Sequence, residues 1–198
     1  MIGIIDYGMG NLHSVTKAFE HLGFSAKVLN EANMLDGVSH VVLPGVGAFA
    51  DAMSSLEHAG WVPAIQRQID AGKPFLGICL GMQLLFEGSQ EGDARGLGIF
   101  SGWVRHIPPG RKIPHMGWNR LQTRPSLLFA GLPEEPYAYF VHSYAVDTTD
   151  NLVIARAEYD GFSVTAAVGR DNVFATQFHP EKSSEAGLAI LRNFGGLL

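Results

Sequence analysis

The sequence predicts an α/β fold, a mostly parallel central sheet flanked by helices, with a smaller antiparallel β extension. Three observations carry that expectation. Short apolar runs alternate with segments of helical spacing through the first half of the chain. Turn residues, drawn from 24 glycines, punctuate the junctions, as strand-to-helix connections require. Beyond Gly88 the pattern becomes a series of short β-like runs separated by turns. At 198 residues, with no internal repeat or low-complexity linker, the chain reads as one domain over residues 1–198.

The elements follow in order. Ile2–Asp6 is an apolar first strand, and Asn11 is placed to cap a helix running to Leu22, with Gly23 as its stop. The intervening Gly8 and Gly10 begin a dinucleotide-type loop, but His13 stands where a third glycine is needed, so that reading is weak. Ser25–Leu29 and His40–Leu43 are the second and third strands, the latter ending in Pro44-Gly45-Val46-Gly47. One helix through Met53 and Leu56 and another over Pro63–Ala71 precede a strand at Phe75–Ile78 and a helix over Leu80–Glu87. Glu91–Gly98 reads as a loop. The β-like runs are Trp103–His106, Trp118–Gln122, Ala138–Tyr144, Leu152–Ala157, Ser163–Val168 and Val173–Gln177, and a last helix spans about Glu185 to Phe194.

Composition excludes several classes of function. A net charge of −5 without a Lys/Arg cluster argues against nucleic acid or anionic membrane as the main partner. No apolar run approaches the ~20 residues needed to span a bilayer. Met1–Asp6 lacks the basic region of a signal peptide and reads as a core strand. One cysteine forbids an internal disulfide and suits a reducing, cytoplasmic setting. A lone cysteine and scattered histidines give no metal-ligand spacing, so neither metal nor cofactor is expected.

That cysteine lies in Gly77-Ile78-Cys79-Leu80-Gly81, a G-x-C-x-G between predicted strand and helix. It is the thiol version of a nucleophile elbow, in which a tight turn presents a reactive side chain and the following helix favours a thiolate. A small buried cysteine on a βα unit fits the pentapeptide equally well. His179 follows the last strand, where α/β sheets build sites, and Glu181, two residues on, can orient an imidazole if the segment is extended. Taken alone, these two also suit the cap and first turn of the final helix. The Pro44–Gly47 turn can aim backbone N–H groups into the same crevice, joining Leu80 N–H as an oxyanion site worth ~3 kcal/mol per donor, or it is a plain βα turn.

Together, Pro74–Gln83 and His179-Pro180-Glu181 resemble the signatures of the class I, triad-type glutamine amidotransferases. Asp6–Asn11, Pro44–Gly47, Pro114-His115-Met116-Gly117-Trp118-Asn119, Tyr139–Tyr144 and His179–Ser183 narrow the likeness to the glutaminase subunits of imidazole glycerol phosphate synthases. The likeness runs from Met1 to the last helix and leaves no stretch for a fused acceptor domain. It implies a flavodoxin-like three-layer fold, Cys79 as nucleophile, His179 as acid–base and Glu181 as its orienter. It implies an oxyanion site at Val46, Gly47 and Leu80, and an L-glutamine pocket formed by Gln83, Glu91, Tyr139, Ser143 and Tyr144. It implies a separate (β/α)8-barrel cyclase subunit, forming a heterodimer, that takes up the ammonia and makes imidazole glycerol phosphate and aminoimidazole carboxamide ribonucleotide for histidine biosynthesis. Asn11, Met116, Trp118, Asn119 and Lys182 would form the docking face. The alternatives are the glutaminase of another synthase, such as anthranilate synthase, and a non-catalytic regulatory module on the same scaffold. The Pro114–Asn119 segment argues against the first and the intact triad against the second.

Overall fold

In the computed structural model, which describes residues 1–197, the first half of the chain builds a parallel sheet. Strands β1 (Ile2–Ile5), β2 (Ala26–Leu29), β3 (His40–Gly45) and β4 (Phe75–Cys79) lie in the order β2-β1-β3-β4, every pairing parallel. β1, β3 and β4 are buried along their whole length, which is why they read as continuous apolar runs. Successive side chains face opposite layers. Ile4, Val42 and Leu76 pack with Val15, Ala18 and Phe19 of helix α1 (Leu12–His21). Ile5, Leu43 and Phe75 pack with helices α2 (Phe49–His58) and α3 (Trp61–Asp70) on the other face. In α1 the buried residues recur at i, i+3 and i+4, and the Asn11 side chain accepts from Ser14 N–H at 3.4 Å as its cap.

Helix α4 spans only Leu80–Leu84, three residues short of the expected Glu87. The returning loop stops it: the carbonyls of Leu84, Leu85 and Phe86 accept from the N–H groups of Leu97, Phe100 and Gly98 instead of extending the helix. The chain then enters the short strands β5 (Gly88–Ser89) and β6 (Ala94–Arg95), the second inside the expected loop. β7 (Trp103–His106) pairs with β5.

Two expected strands are each divided. Trp118–Gln122 becomes β8 (His115–Arg120) and β9 (Gln122–Thr123), separated at buried Leu121. Ala138–Tyr144 becomes β10 (Tyr137–His142) and β11 (Tyr144–Asp147), separated at Ser143. The halves belong to different sheets: β10 forms a two-stranded antiparallel ribbon with β8, while β11 pairs with β7 in a second small sheet. The remaining strands β12 (Val153–Tyr159), β13 (Phe162–Arg170) and β14 (Val173–Thr176) complete the central sheet. β14 joins β4 in parallel, and β13, β12 and β9 continue antiparallel to the edge. Helix α5 (Ser184–Gly195) returns over the α1 face through Ile190, Leu191 and Phe194. The ends of β3, β4 and β14 therefore meet at one edge, the edge at which open α/β sheets bind ligands.

Candidate active site

Cys79 closes β4 with φ 55° and ψ −108°, a left-handed backbone that few non-glycine residues adopt. Such strain costs ~1–3 kcal/mol and persists where the surrounding structure enforces it. Here close packing enforces it. A Cβ on Gly77 would stand 2.7 Å from the Gly81 carbonyl oxygen, and a Cβ on Gly81 would collide with the Leu43 carbonyl of β3. The two glycines thus supply room, as their spacing suggests, while the cysteine itself takes the unusual dihedral. The thiol is free and buried at the floor of a cleft of about 370 Å³.

His179 lies just past β14. Its N–H donates to the Tyr139 carbonyl at 3.0 Å, and its carbonyl accepts from Ser183 Oγ at 2.6 Å, which holds the backbone from two sides. Glu181 reaches it by a different path from the extended one expected: Pro180–Lys182 is a single 3-10 turn. Nδ1–H of His179 donates to Glu181 Oε1 at 2.8 Å, with both side chains almost wholly buried. Nε2 is left without a partner and borders the cleft that Cys79 also lines. Burial opposes a charge on His179, but the neighbouring Cys79 sulfur and the Glu181 carboxylate outweigh it, and the imidazole is held well above its ordinary pKa. Cys79 does so without completing a hydrogen bond of ordinary geometry to Nε2. Cys79, His179 and Glu181 therefore share one corner, a thiol beside an imidazole that a carboxylate orients, an arrangement able to carry out acyl transfer from an amide.

The other expected residues divide. Val46, Gly47, Leu80, Gln83, Glu91, Ser143 and Tyr144 all line the cleft. Gly47 has φ +108°, and the Pro44–Gly47 turn packs against the Met9–Gly10 turn. Glu91 Oε2 accepts from Phe49 N–H at 3.0 Å, capping α2, whose own N-cap is an alanine with no acceptor, and so fixing a carboxylate at the cleft wall. Tyr139 does not line the cleft; its ring packs edge-on against Trp118 at 6.1 Å between centroids.

The ribbon explains both placements. Met116 pairs with Val141, which lines the cleft, and the next outward pair is Trp118 with Tyr139. The outer face thus runs from the cleft mouth to Met116 and Trp118, which are 59% and 54% exposed. Lys182 is exposed in the 3-10 turn beside His179, and Asn11 is half-buried at the start of α1. Asn119 does not share the Met116–Trp118 face. Strand alternation turns it inward, where Nδ2 donates to the Glu158 carbonyl at 2.9 Å.

Sequence reasoning missed several polar groups. Tyr7 Oη is buried without a partner beside Gly45, where a Cβ would lie 2.6 Å from it; burial and the nearby Cys79 raise its pKa. Gln177, His142 and His115 are also buried. Their only signal is a polar residue at an inward strand position, or, for Gln177, just past the end of β14. Among the described residues, no cluster of three or more His, Cys, Asp or Glu is arranged to hold a metal ion, and no helix is long and apolar enough to cross a membrane.

Residues 3–196 match the family model described as Glutamine amidotransferase class-I. A protein of Desulfitobacterium hafniense (strain DSM 10664 / DCB-2), named imidazole glycerol phosphate synthase subunit HisH, is 55% identical over 98% of this chain and 93% of its own length. Proteins of the same name from Thermosynechococcus vestitus and Syntrophotalea carbinolica are 52% and 50% identical over the whole of this chain and 97% and 100% of theirs. Among solved structures, one described as PurLQS from Thermotoga maritima has a TM-score of 0.79 at 20% identity, covering 98% of this chain and 96% of that one. A crystal structure of a glutamine amidotransferase gives 0.78 at 20%, covering 99% of both. These two share the fold.

Proposed function

As the chain belongs to the class-I glutamine amidotransferase family, we infer that it is the glutaminase subunit of an imidazole glycerol phosphate synthase. It releases ammonia from L-glutamine at Cys79 and delivers it to a cyclase subunit. The observation that carries the reading is the His179–Glu181 pair, bonded at 2.8 Å and facing the strained Cys79 elbow across one cleft. Full-length likeness to subunits of that synthase supports the choice of pathway.

The reaction follows from the residues. Cys79 thiolate attacks the side-chain carboxamide carbon of glutamine, and the carbonyl oxygen takes the negative charge. The N–H of Leu80, which opens α4 and lacks an intrahelical acceptor, and the Val46–Gly47 peptide region stabilise that oxyanion. His179, protonated in the resting pair, gives its Nε2 proton to the departing nitrogen, so that ammonia leaves and a glutamyl thioester remains. The neutral imidazole then takes a proton from water, which attacks the thioester, releasing glutamate and the thiolate. Glu91 holds the substrate's α-amino group, while Gln83, Ser143 and Tyr144 shape the pocket. Tyr139 contributes from behind Trp118, not from the cleft wall.

The cyclase, a (β/α)8 barrel, docks over Met116 and Trp118 at the cleft mouth, with Asn11 and Lys182 at the rim and Asn119 supporting the ribbon from inside. It consumes the ammonia in forming imidazole glycerol phosphate and aminoimidazole carboxamide ribonucleotide. The assembly is a cytoplasmic heterodimer, and this chain contributes one domain. Mixing the chain with the cyclase tests the assignment: glutamine-dependent product is expected, and its absence would sink the histidine-pathway reading. Cys79→Ala should abolish that activity while ammonium salts still support cyclisation. Loss of both activities would withdraw the nucleophile role from Cys79.

A further inference from the structure

Beneath the ribbon, a set of buried polar groups has only one consistent arrangement of protons. Arg120 N–H donates to Asn119 Oδ1 at 2.8 Å, which identifies the carbonyl end of that amide. Asn119 Nδ2 is therefore the atom 3.3 Å from His115 Nε2, and that nitrogen must accept. The His115 proton then resides on Nδ1, 2.9 Å from His142 Nε2. On the far side of His142, Nδ1 lies 2.7 Å from the Tyr144 carbonyl, a group that only accepts. Both rings are thus neutral and protonated on Nδ1, and every bond points the same way. His115 is stacked between Tyr159 and Phe140, with centroids at 3.9 and 4.7 Å, and burial depresses both imidazoles, to about 4 for His115 and about 3 for His142.

The chain continues from Tyr144 to the nucleophile. The Tyr144 carbonyl also accepts from Gln83 Nε2 at 3.3 Å, and the same nitrogen donates to Gln177 Oε1 at 3.1 Å. With the Tyr144 carbonyl, which can only accept, before it, Gln83 must present its NH₂ end. Gln177 must then present its oxygen to Gln83 and its NH₂ to Cys79 Sγ, 3.8 Å away. Turned over, Gln177 would set a carbonyl oxygen against a thiolate. We propose that His115 and His142 are positioning residues for glutamine hydrolysis, pinning the Tyr144 carbonyl so that the Gln83 amide holds Gln177 with its N–H aimed at the Cys79 sulfur.

The proposal rests on Cys79 being the nucleophile, and its test separates the two ideas. Long-range ¹H–¹⁵N spectra of the full chain at neutral pH should show both imidazoles neutral and protonated on Nδ1. An Nε2–H tautomer or an imidazolium at either ring would overturn the chain of bonds, with no variant needed. The rate of Cys79 alkylation by iodoacetamide, with the adduct mapped by mass spectrometry, reads the effect on sulfur. His142→Phe keeps an aromatic ring but removes the donor, and should slow alkylation about tenfold, the order expected for misdirecting one hydrogen bond to a charged group. His142→Asn restores a donor at the Nδ1 position and should recover most of the rate. A folded His142→Phe chain that reacts at the wild-type rate, or an asparagine variant as slow as phenylalanine, would refute positioning. If a glutamine-analogue electrophile labels some residue other than Cys79, the nucleophile reading fails instead.

Discussion

Replacing Glu181 by glutamine tests the site through its charge while preserving its shape. The glutamine carbonyl oxygen can still accept from His179 Nδ1–H in place of Oε1, now 2.8 Å away. The bond changes from charge-assisted, worth roughly 1.5–3 kcal/mol, to neutral, worth about 0.5–1.5 kcal/mol. With the carboxylate side chain only 1% exposed, solvent screens little of that difference, so the estimate is ~1–2 kcal/mol, or about 1 pKa unit lost from the imidazolium. His179 is held above its ordinary value against the opposing effect of burial, with Cys79 and Glu181 as the causes. Removing Glu181 therefore lowers its pKa, and the alkaline limb of the glutaminase pH–rate profile should move down by about 1 unit.

The same linkage predicts stability. A group whose folded pKa is raised contributes stability that is fully present below its unfolded pKa, near 6.5, and is lost as pH rises through the folded value. The destabilisation from Glu181→Gln should be largest near pH 6 and vanish on the alkaline side. Urea titrations at several pH values, with glutaminase profiles of the complex, measure both. A stability difference that grows with pH, or an unmoved alkaline limb, would refute the assignment of Glu181 as the carboxylate that holds His179 protonated.

Two further substitutions test the pocket and the docking face. Glu91→Ala should raise the KM for glutamine about tenfold and cost ~1 kcal/mol by uncapping α2 at Phe49, whereas Glu91→Gln, which keeps an acceptor for Phe49 N–H, should restore stability but not KM. Titration calorimetry and thermal melts separate the two effects. Trp118→Ala should weaken cyclase binding about 30-fold, as expected for an aromatic anchor, with little change in the melting temperature of the isolated chain, since Trp118 is 54% exposed there. A large fall in melting temperature would mean that the residue supports the ribbon and not a partner.

Much of the fold is legible because its signals are local. The buried strands β1, β3 and β4 declare themselves as apolar runs, and α1 by Val15, Ala18 and Phe19 at helical spacing. The departures come from distant parts of the chain. Nothing within Leu80–Glu87 announces that Leu97, Gly98 and Phe100 will take its carbonyls and end α4 early. Nor does Ala138–Tyr144 announce a change of sheet at Ser143, since apolar and aromatic residues resume after His142-Ser143 and the partners, β8 and β7, lie elsewhere in sequence. Propensity can identify extended chain, but it cannot choose among sheets that all offer a buried edge.

The site divides along the same line. The elbow is readable because Gly77 and Gly81, the first of which must leave room for the second, flank Cys79 within five residues, and the His179–Glu181 pair because two residues of separation suffice. Parity along a strand also carries information: once Met116 and Trp118 are placed outward, alternation alone sends His115 and Asn119 inward, away from the proposed docking face. What parity cannot supply is the partner across the interior. Gln83 and Gln177 are 94 residues apart, and each is an unremarkable buried amide until the other is in place. Only the folded arrangement makes their orientation consequential, because an amide has a donor end and an acceptor end that sequence does not assign. The electrostatics at Cys79 are therefore set in part by residues whose identity was visible from the outset and whose direction was not.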